Sequence, residues 1–226
     1  VVYWAFRDIG HTEDANTPKT TFRGQLALAR ELIKNRALLG ITLVEGLRGM
    51  AFLAVITFLP LYLDEIALLT PAERGWHFGL VMVMGIPATP AMGYISDIIG
   101  RKLVLVPALL ALAGVMLLLV GFGTGPLLIV ILILMGLFLY SDQPILTAAA
   151  LDMVGREVAT TTMGILSFSR FALAAASPVI AGLLWKHISS DASFYYAASL
   201  FVLSALILLV IPMAKPAKVN HSSNDS

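Results

Sequence analysis

Six apolar runs decide what this chain can fold into. They lie at about residues 38–63, 75–95, 103–122, 126–147, 160–184 and 194–211. At a rise of about 1.5 Å per residue, each can cross the roughly 30 Å hydrocarbon layer of a bilayer as a helix. A water-soluble domain of 226 residues has little room to bury six such segments. Hydrophobic residues make up 58% of the sequence and charged residues 13%, and the mean hydropathy is +0.88, so the chain needs lipid. Helices are the sensible reading, because an open strand edge in hydrocarbon leaves backbone groups unpaired and the runs lack the alternation of barrel strands. The expected fold is an all-α membrane protein of six transmembrane helices.

Thr70-Pro71 before the second run, Gly123-Thr-Gly-Pro126 between the third and fourth, and Pro212 with Pro216 after the sixth punctuate the boundaries. Tyr62, Trp76, Trp185, Tyr195 and Tyr196 fall near run ends, where an aromatic belt forms. Eleven of the fifteen Lys and Arg, among them Arg36, Arg101, Lys102, Arg156 and Lys215, fall on one side of the six runs, and only Arg74 and Lys186 on the other. That bias is expected to place both termini on the cytoplasmic side of a bacterial-type inner membrane. Residues 1–37 are expected to hold the end of a preceding helix, a cytoplasmic linker and a basic amphipathic segment; 38–213 the bundle; and 214–226 a disordered tail. A start at Val1 without a signal-peptide pattern suggests a fragment. A net charge of +1 with no basic stripe argues against a nucleic-acid partner. The absence of cysteine removes disulfides and thiolate chemistry, and no His or Glu cluster has metal spacing, so no cofactor or metal is expected. Membrane lipid and a small-molecule substrate are the expected partners.

After the second run comes Gly93-Tyr-Ile-Ser-Asp97-Ile-Ile-Gly100-Arg101-Lys102, a short turn dense in charge. Gly93 and Gly100 permit a tight reversal, Asp97 can face a helix N-terminus or a cation, and Arg101 can pair with Asp152 or Glu157 in the next loop on that side. The turn reads either as a latch that holds one conformation or as a loop whose charges merely fix topology. GYISDIIGRK is similar to the signature loop of the major facilitator superfamily, G-x-x-[SA]-D-[RK]-x-G-R-[RK], with Ile98 where the family usually has Arg or Lys. Phe58-Leu-Pro-Leu-Tyr62 and Ala176-Ser-Pro178-Val-Ile-Ala-Gly182 resemble the second half of such transporters. The resemblance implies one six-helix bundle of a twelve-helix transporter, the loop lying between helices 8 and 9, with an N-terminal six-helix half as the missing partner.

Four charges sit inside runs: Glu45, Arg48, Asp142 and Arg170. Each costs about 2.5–3.5 kcal/mol at a helix centre, so each should face protein or water. Glu45 and Arg48 are three apart and share a helix face, which suggests a pair. Asp142, in Ser141-Asp-Gln-Pro144, suggests a locally loosened segment; Arg170, with no acid at helical spacing in its own helix, either contacts an anionic substrate or a gating acid across the cavity, or neutralises Asp142. Arg170 also shares a stripe of small residues with Ser167, Ala174 and Ser177. By resemblance the first and fourth runs are family helices 7 and 10, which line the central cavity, and the fifth is helix 11. Two readings stand: a cavity with two cations for an anionic group and two acids for protons, or two neutralised pairs retained for packing. Pro87 and Pro90 are expected to kink the second helix.

The expected function is secondary active transport by alternating access, coupled to an ion gradient because no ATP-binding motif is present. Drug or metabolite efflux by proton antiport and uptake or exchange of an organic anion both fit. A non-transporting scaffold or sensor is the alternative, and a membrane-embedded enzyme is weaker because no nucleophile sits beside a base.

Overall fold

The first helix begins where Asn35 Oδ1 accepts hydrogen bonds from the backbone N–H groups of Ala37 (3.0 Å) and Leu38 (3.4 Å), which satisfies donors that the helix itself leaves unpaired. In the computed structural model, which describes residues 35–154 and 158–212, this helix is α1, Arg36–Glu65. It is followed by α2 (Pro71–Ile99), α3 (Arg101–Phe122), α4 (Leu128–Leu139), α5 (Asp142–Leu151), α6 (Ala159–Ala174), α7 (Ser177–His187) and α8 (Ala192–Val210). The expectations for residues 1–34 and 213–226 lie outside the described residues. With α4 and α5 joined as one span and α6 and α7 as another, six helices among the described residues are long and apolar enough to cross a bilayer.

The second span runs past the apolar run at both ends. Thr70 and Glu73 form a reciprocal capping box, with the Thr70 N–H donating to Glu73 Oε2 (2.8 Å) and the Glu73 N–H donating to Thr70 Oγ1 (3.4 Å). Pro87 and Pro90 lie within this unbroken helix. The fourth span is interrupted at Tyr140–Ser141, because Pro144 has no N–H for the Tyr140 carbonyl; Thr89 Oγ1 approaches that oxygen at 3.5 Å. The fifth span breaks in the same way at Ala175–Ala176, four residues or fewer before Pro178.

Central to the bundle is α1, which packs against α6 and α8 and also meets α2, α5 and α7. Helix α8 packs in turn on α3, and α4 lies between α3 and α2. Leu59 and Leu63 of α1, Leu112 and Met116 of α3, Met135 of α4 and Phe201 of α8 belong to one fully buried cluster. Two of the residues expected in an aromatic belt instead join the interior. Tyr62 is buried and donates to the Leu119 carbonyl at 2.9 Å, and the half-buried Trp185 packs tilted on Phe58 and edge-on to Phe194; a phenol with a carbonyl partner loses nothing by leaving the interface. Trp76 and Tyr195 do stay exposed.

Helices that associate in lipid rely on close backbone approach. A Cβ on Gly136 of α4 would press on the Val81 carbonyl and lie 2.8 Å from Met84 Cβ, so glycine sets the α2–α4 crossing. Gly136→Ala is expected to cost about 1–3 kcal/mol through overpacking. Gly114→Ala, where a Cβ meets nothing within 4 Å, is expected to be neutral or mildly stabilising. Thermal unfolding of the detergent-purified variants checks both, and equal losses at the two sites would refute the close crossing.

Candidate functional site

The buried charges come to one level. Arg48 lies 12 residues into α1, Arg170 11 residues into the fifth span, and Asp142 9 residues from the opposite end of the fourth. Since the fourth span runs against the other two, all three sit about 14–18 Å from span ends on the same side, near the middle of a hydrocarbon layer. Glu45, one turn before Arg48, joins them, and Glu45, Arg48 and Asp142 are each no more than 2% exposed.

The structure pairs them across helices, which corrects the expectation of Glu45 with Arg48 and Asp142 with Arg170. Arg48 Nη2 lies 2.6 Å from Asp142 Oδ1, and Arg170 Nη1 lies 3.3 Å from Glu45 Oε1. Residues three apart on a helix share a face, but both side chains then reach outward to whichever neighbour that face meets. Here Arg48 reaches α5 and Glu45 reaches α6. The Arg48–Asp142 contact is an ion pair by distance, while the hydrogen bond of Nη2 goes to the Leu139 carbonyl at 2.8 Å, at the end of α4 where the helix is interrupted. Asp142 has the Arg48 guanidinium against it, whereas Glu45 Oε2 accepts no hydrogen bond among the described residues. Two carboxylates are thus held out of water, and that of Glu45 keeps acceptor capacity unfilled.

Close approach of α6 to α1 makes the Glu45–Arg170 contact possible. A Cβ on Gly49 would stand 2.7 Å from Arg170 Cγ, and one on Gly46 would strike the Leu173 side chain. Ser169 Oγ donates to the Thr42 carbonyl (2.9 Å) and Ser177 Oγ to that of Met50 (2.6 Å). Of the stripe expected on the fifth span, Ala174 and Ser177 are buried and Ser167 half-buried.

Beside these pairs opens a cleft of about 210 Å³, lined by Arg48, Gly49, Phe52, Leu53, Gln143, Arg170, Phe171 and Ala174. Arg48 Cζ stands 5.4 Å from the Phe52 ring centroid and Arg170 Cζ 4.8 Å from that of Phe171. Of the four expected charges the cleft receives both guanidiniums, while both acids sit behind them. A reading by charge passes over Gly46, Gly49, Phe52, Gln143 and Phe171. The signal for the glycines was present, as a Gly-x-x-Gly pair alternating with Glu45 and Arg48; nothing local marks the two rings or Gln143.

At the membrane surface on that side, Arg101 gathers the motif. Its Nη1 lies 2.5 Å from Asp97 Oδ1 and donates to Ser96 Oγ at 3.0 Å, and its Nε donates to Asp152 Oδ2 at 3.1 Å. Three spans therefore meet at one guanidinium. Glu157, the other expected partner, lies outside the described residues. One further expectation is corrected. Gly93 lies within α2 with open space around its Cα, so the reversal rests on Gly100 alone, whose φ of 108° excludes a side chain without strain. Lys102 points away from the acids: its Nζ donates to the carbonyls of Leu209 (2.7 Å) and Ile211 (3.0 Å), which the end of α8 leaves free.

Residues 41–226 match the family model described as Major Facilitator Superfamily, and the chain belongs to that family of membrane transporters. It is therefore an integral, multi-pass membrane protein of a transporter family rather than an enzyme family. Among curated relatives, the Multidrug resistance protein MdtG of Escherichia fergusonii is 29% identical over 169 residues, covering 73% of this chain and 41% of the relative. Those of Salmonella choleraesuis and Salmonella typhi are 30% and 28% identical over 167 and 165 residues, each covering 71% of this chain and 41% of the relative. The chain thus spans about two fifths of the length of the relatives it matches.

The crossed pairing predicts a pattern of coupling. Asp142→Ala, which strands Arg48 in the interior, is expected to destabilise by about 3–5 kcal/mol, and Arg48→Met with Asp142→Leu to recover much of that loss. Double-mutant cycles on unfolding should give clear coupling for Arg48 with Asp142 and for Glu45 with Arg170, and less than about 0.5 kcal/mol for Asp142 with Arg170. The reverse pattern would contradict the geometry.

Proposed function

We propose that this chain is the second six-helix bundle of a proton-coupled secondary transporter. In that reading it rocks against a partner bundle of six helices around a site at the bilayer midplane, with both termini on the cytoplasmic side. The observation that carries the reading is the quartet of charges: two acids and two guanidiniums at one depth, with Glu45 Oε2 unfilled, beside a cleft. Intramembrane ionisable groups mark ion and substrate paths by default, and an exchangeable proton is what an under-bonded buried carboxylate accepts. The cleft's volume falls below the roughly 300–1,000 Å³ of complete ligand pockets, as befits one wall of a shared site. In support of a partner, the second and fifth spans bury far less of their apolar length than the other four, and the fifth contributes Arg170, Phe171 and Ala174 to the cleft. The relatives are named multidrug resistance proteins, which supports a small organic molecule as the substrate.

The Arg101 cluster acts in this reading as a cytoplasmic latch, closed when Asp97 and Asp152 share the guanidinium, and its state biases which face of the membrane the site opens to. Its exposed pairs contribute little stability, which suits a contact that has to break in each cycle.

Proteoliposomes of the complete transporter, loaded with a pH indicator and offered aromatic anions, cations and neutral compounds, test the coupling. Proton movement is expected with at least one class. Glu45→Gln and Asp142→Asn should each reduce it at least tenfold while exchange of that compound across the membrane persists. Unchanged proton movement in both variants refutes a coupling role for the acids. For the latch, Asp97→Asn is expected to insert normally and to slow transport severalfold; normal rates at normal expression would leave Asp97 a topology signal.

A further inference from the structure

Resting on the reading of the cleft as one wall of a transport site, we infer that its ligand is an organic monoanion with an apolar ring body, and that it binds together with a proton. The cleft is asymmetric in charge. Arg170 is the one member of the quartet with appreciable exposure, its side chain being 18% accessible, and among the described residues only its Nη1 is engaged, at the long distance of 3.3 Å. The rest of its fork is available for a two-point contact with a carboxylate. Gln143, whose amide makes no hydrogen bond to described side chains or backbone, supplies a second polar contact from α5. Phe52, Leu53 and Phe171 form the apolar remainder, with rings contributed by α1 and α6. An organic cation would instead meet two guanidiniums before any acid.

Charge counting adds the proton. Glu45 on α1 is faced by Arg48 on its own helix, Arg170 on α6 and Asp142 on α5, and with all four ionised the sum is zero. An anion drawn to Arg170 takes the counter-ion of Glu45 and leaves a net negative charge in a low-dielectric interior. A proton on Glu45 restores neutrality and releases Arg170 fully to the ligand. Anion and proton then occupy the site together rather than in turn.

Three probes that share one ring system decide between charges: 2-naphthoate, 2-naphthylmethanol and 2-naphthylammonium N-methylated to a fixed charge, titrated calorimetrically into the purified complete transporter. Naphthoate is expected to bind at least about tenfold more tightly than the other two, as one charge-assisted contact provides, and to weaken as pH rises with one proton taken up per ligand. Arg170→Lys should weaken it about tenfold while the protein still elutes as a single folded species. Gln143→Glu, nearly identical in shape, should abolish naphthoate binding and favour the cation, a reversal that a packing role does not produce. Tighter binding of the cation by the unmodified protein, or naphthoate affinity indifferent to both variants, overturns the inference. Naphthoate binding of the expected pattern without transport in proteoliposomes would uphold the site and refute the transport reading. Proton-linked transport of the cation alone would do the opposite.

Discussion

Hydrocarbon does not solvate ions, and the interior of this bundle is arranged around that fact. A lone charge at mid-helix costs a few kcal/mol, so Glu45 and Arg48 on the central helix each need a counter-ion from elsewhere. They find it on different neighbours, Arg48 on α5 and Glu45 on α6. The helix that touches most of the bundle is thereby bound to two others by contacts whose rupture would expose a charge. The glycines at 46 and 49 and the serine hydroxyls of Ser169 and Ser177 serve the same end, bringing α6 and α7 close enough for a 3.3 Å contact to form.

The same constraint explains where the helices break. Pro144 and Pro178 each withhold an N–H from the preceding turn, and in lipid the freed carbonyls have to find donors inside the protein. Around the first break Thr89 and Arg48 take that role at Tyr140 and Leu139. The interruption and the ion pair are thus one structure: the guanidinium that neutralises Asp142 also covers backbone that the broken helix exposes.

Much of this was legible in the sequence. Long apolar runs determine spans because hydrocarbon thickness sets a length, and the Ser-Asp-Gln-Pro segment announced a loosened helix through proline's missing donor. The break before Pro178 was equally announced and easily missed, since Ala174-Ala-Ala is a strong helix-forming stretch. The pairing was not legible. Spacing along one helix tells which side chains share a face, but the neighbour that face meets depends on how six helices pack. For the same reason Tyr62 resembled an interfacial residue until Leu119 provided a buried carbonyl, and the rings and amide of the cleft carried no local mark.

The two basic residues of the signature loop end up in unrelated jobs. Arg101 joins acids across three spans at contacts open to water, whereas Lys102 clamps the frayed carbonyls of the last helix onto the start of α3. Between α2 and α3 stands Gly100, the single residue at that junction with a backbone other residues rarely adopt. Mechanically this rim is a joint flanked by a fastener open to water and a rivet onto the last helix. In the latch reading proposed above, release of Arg101 would leave α3 and α8 joined as one plate, with any rotation falling at a residue without a side chain.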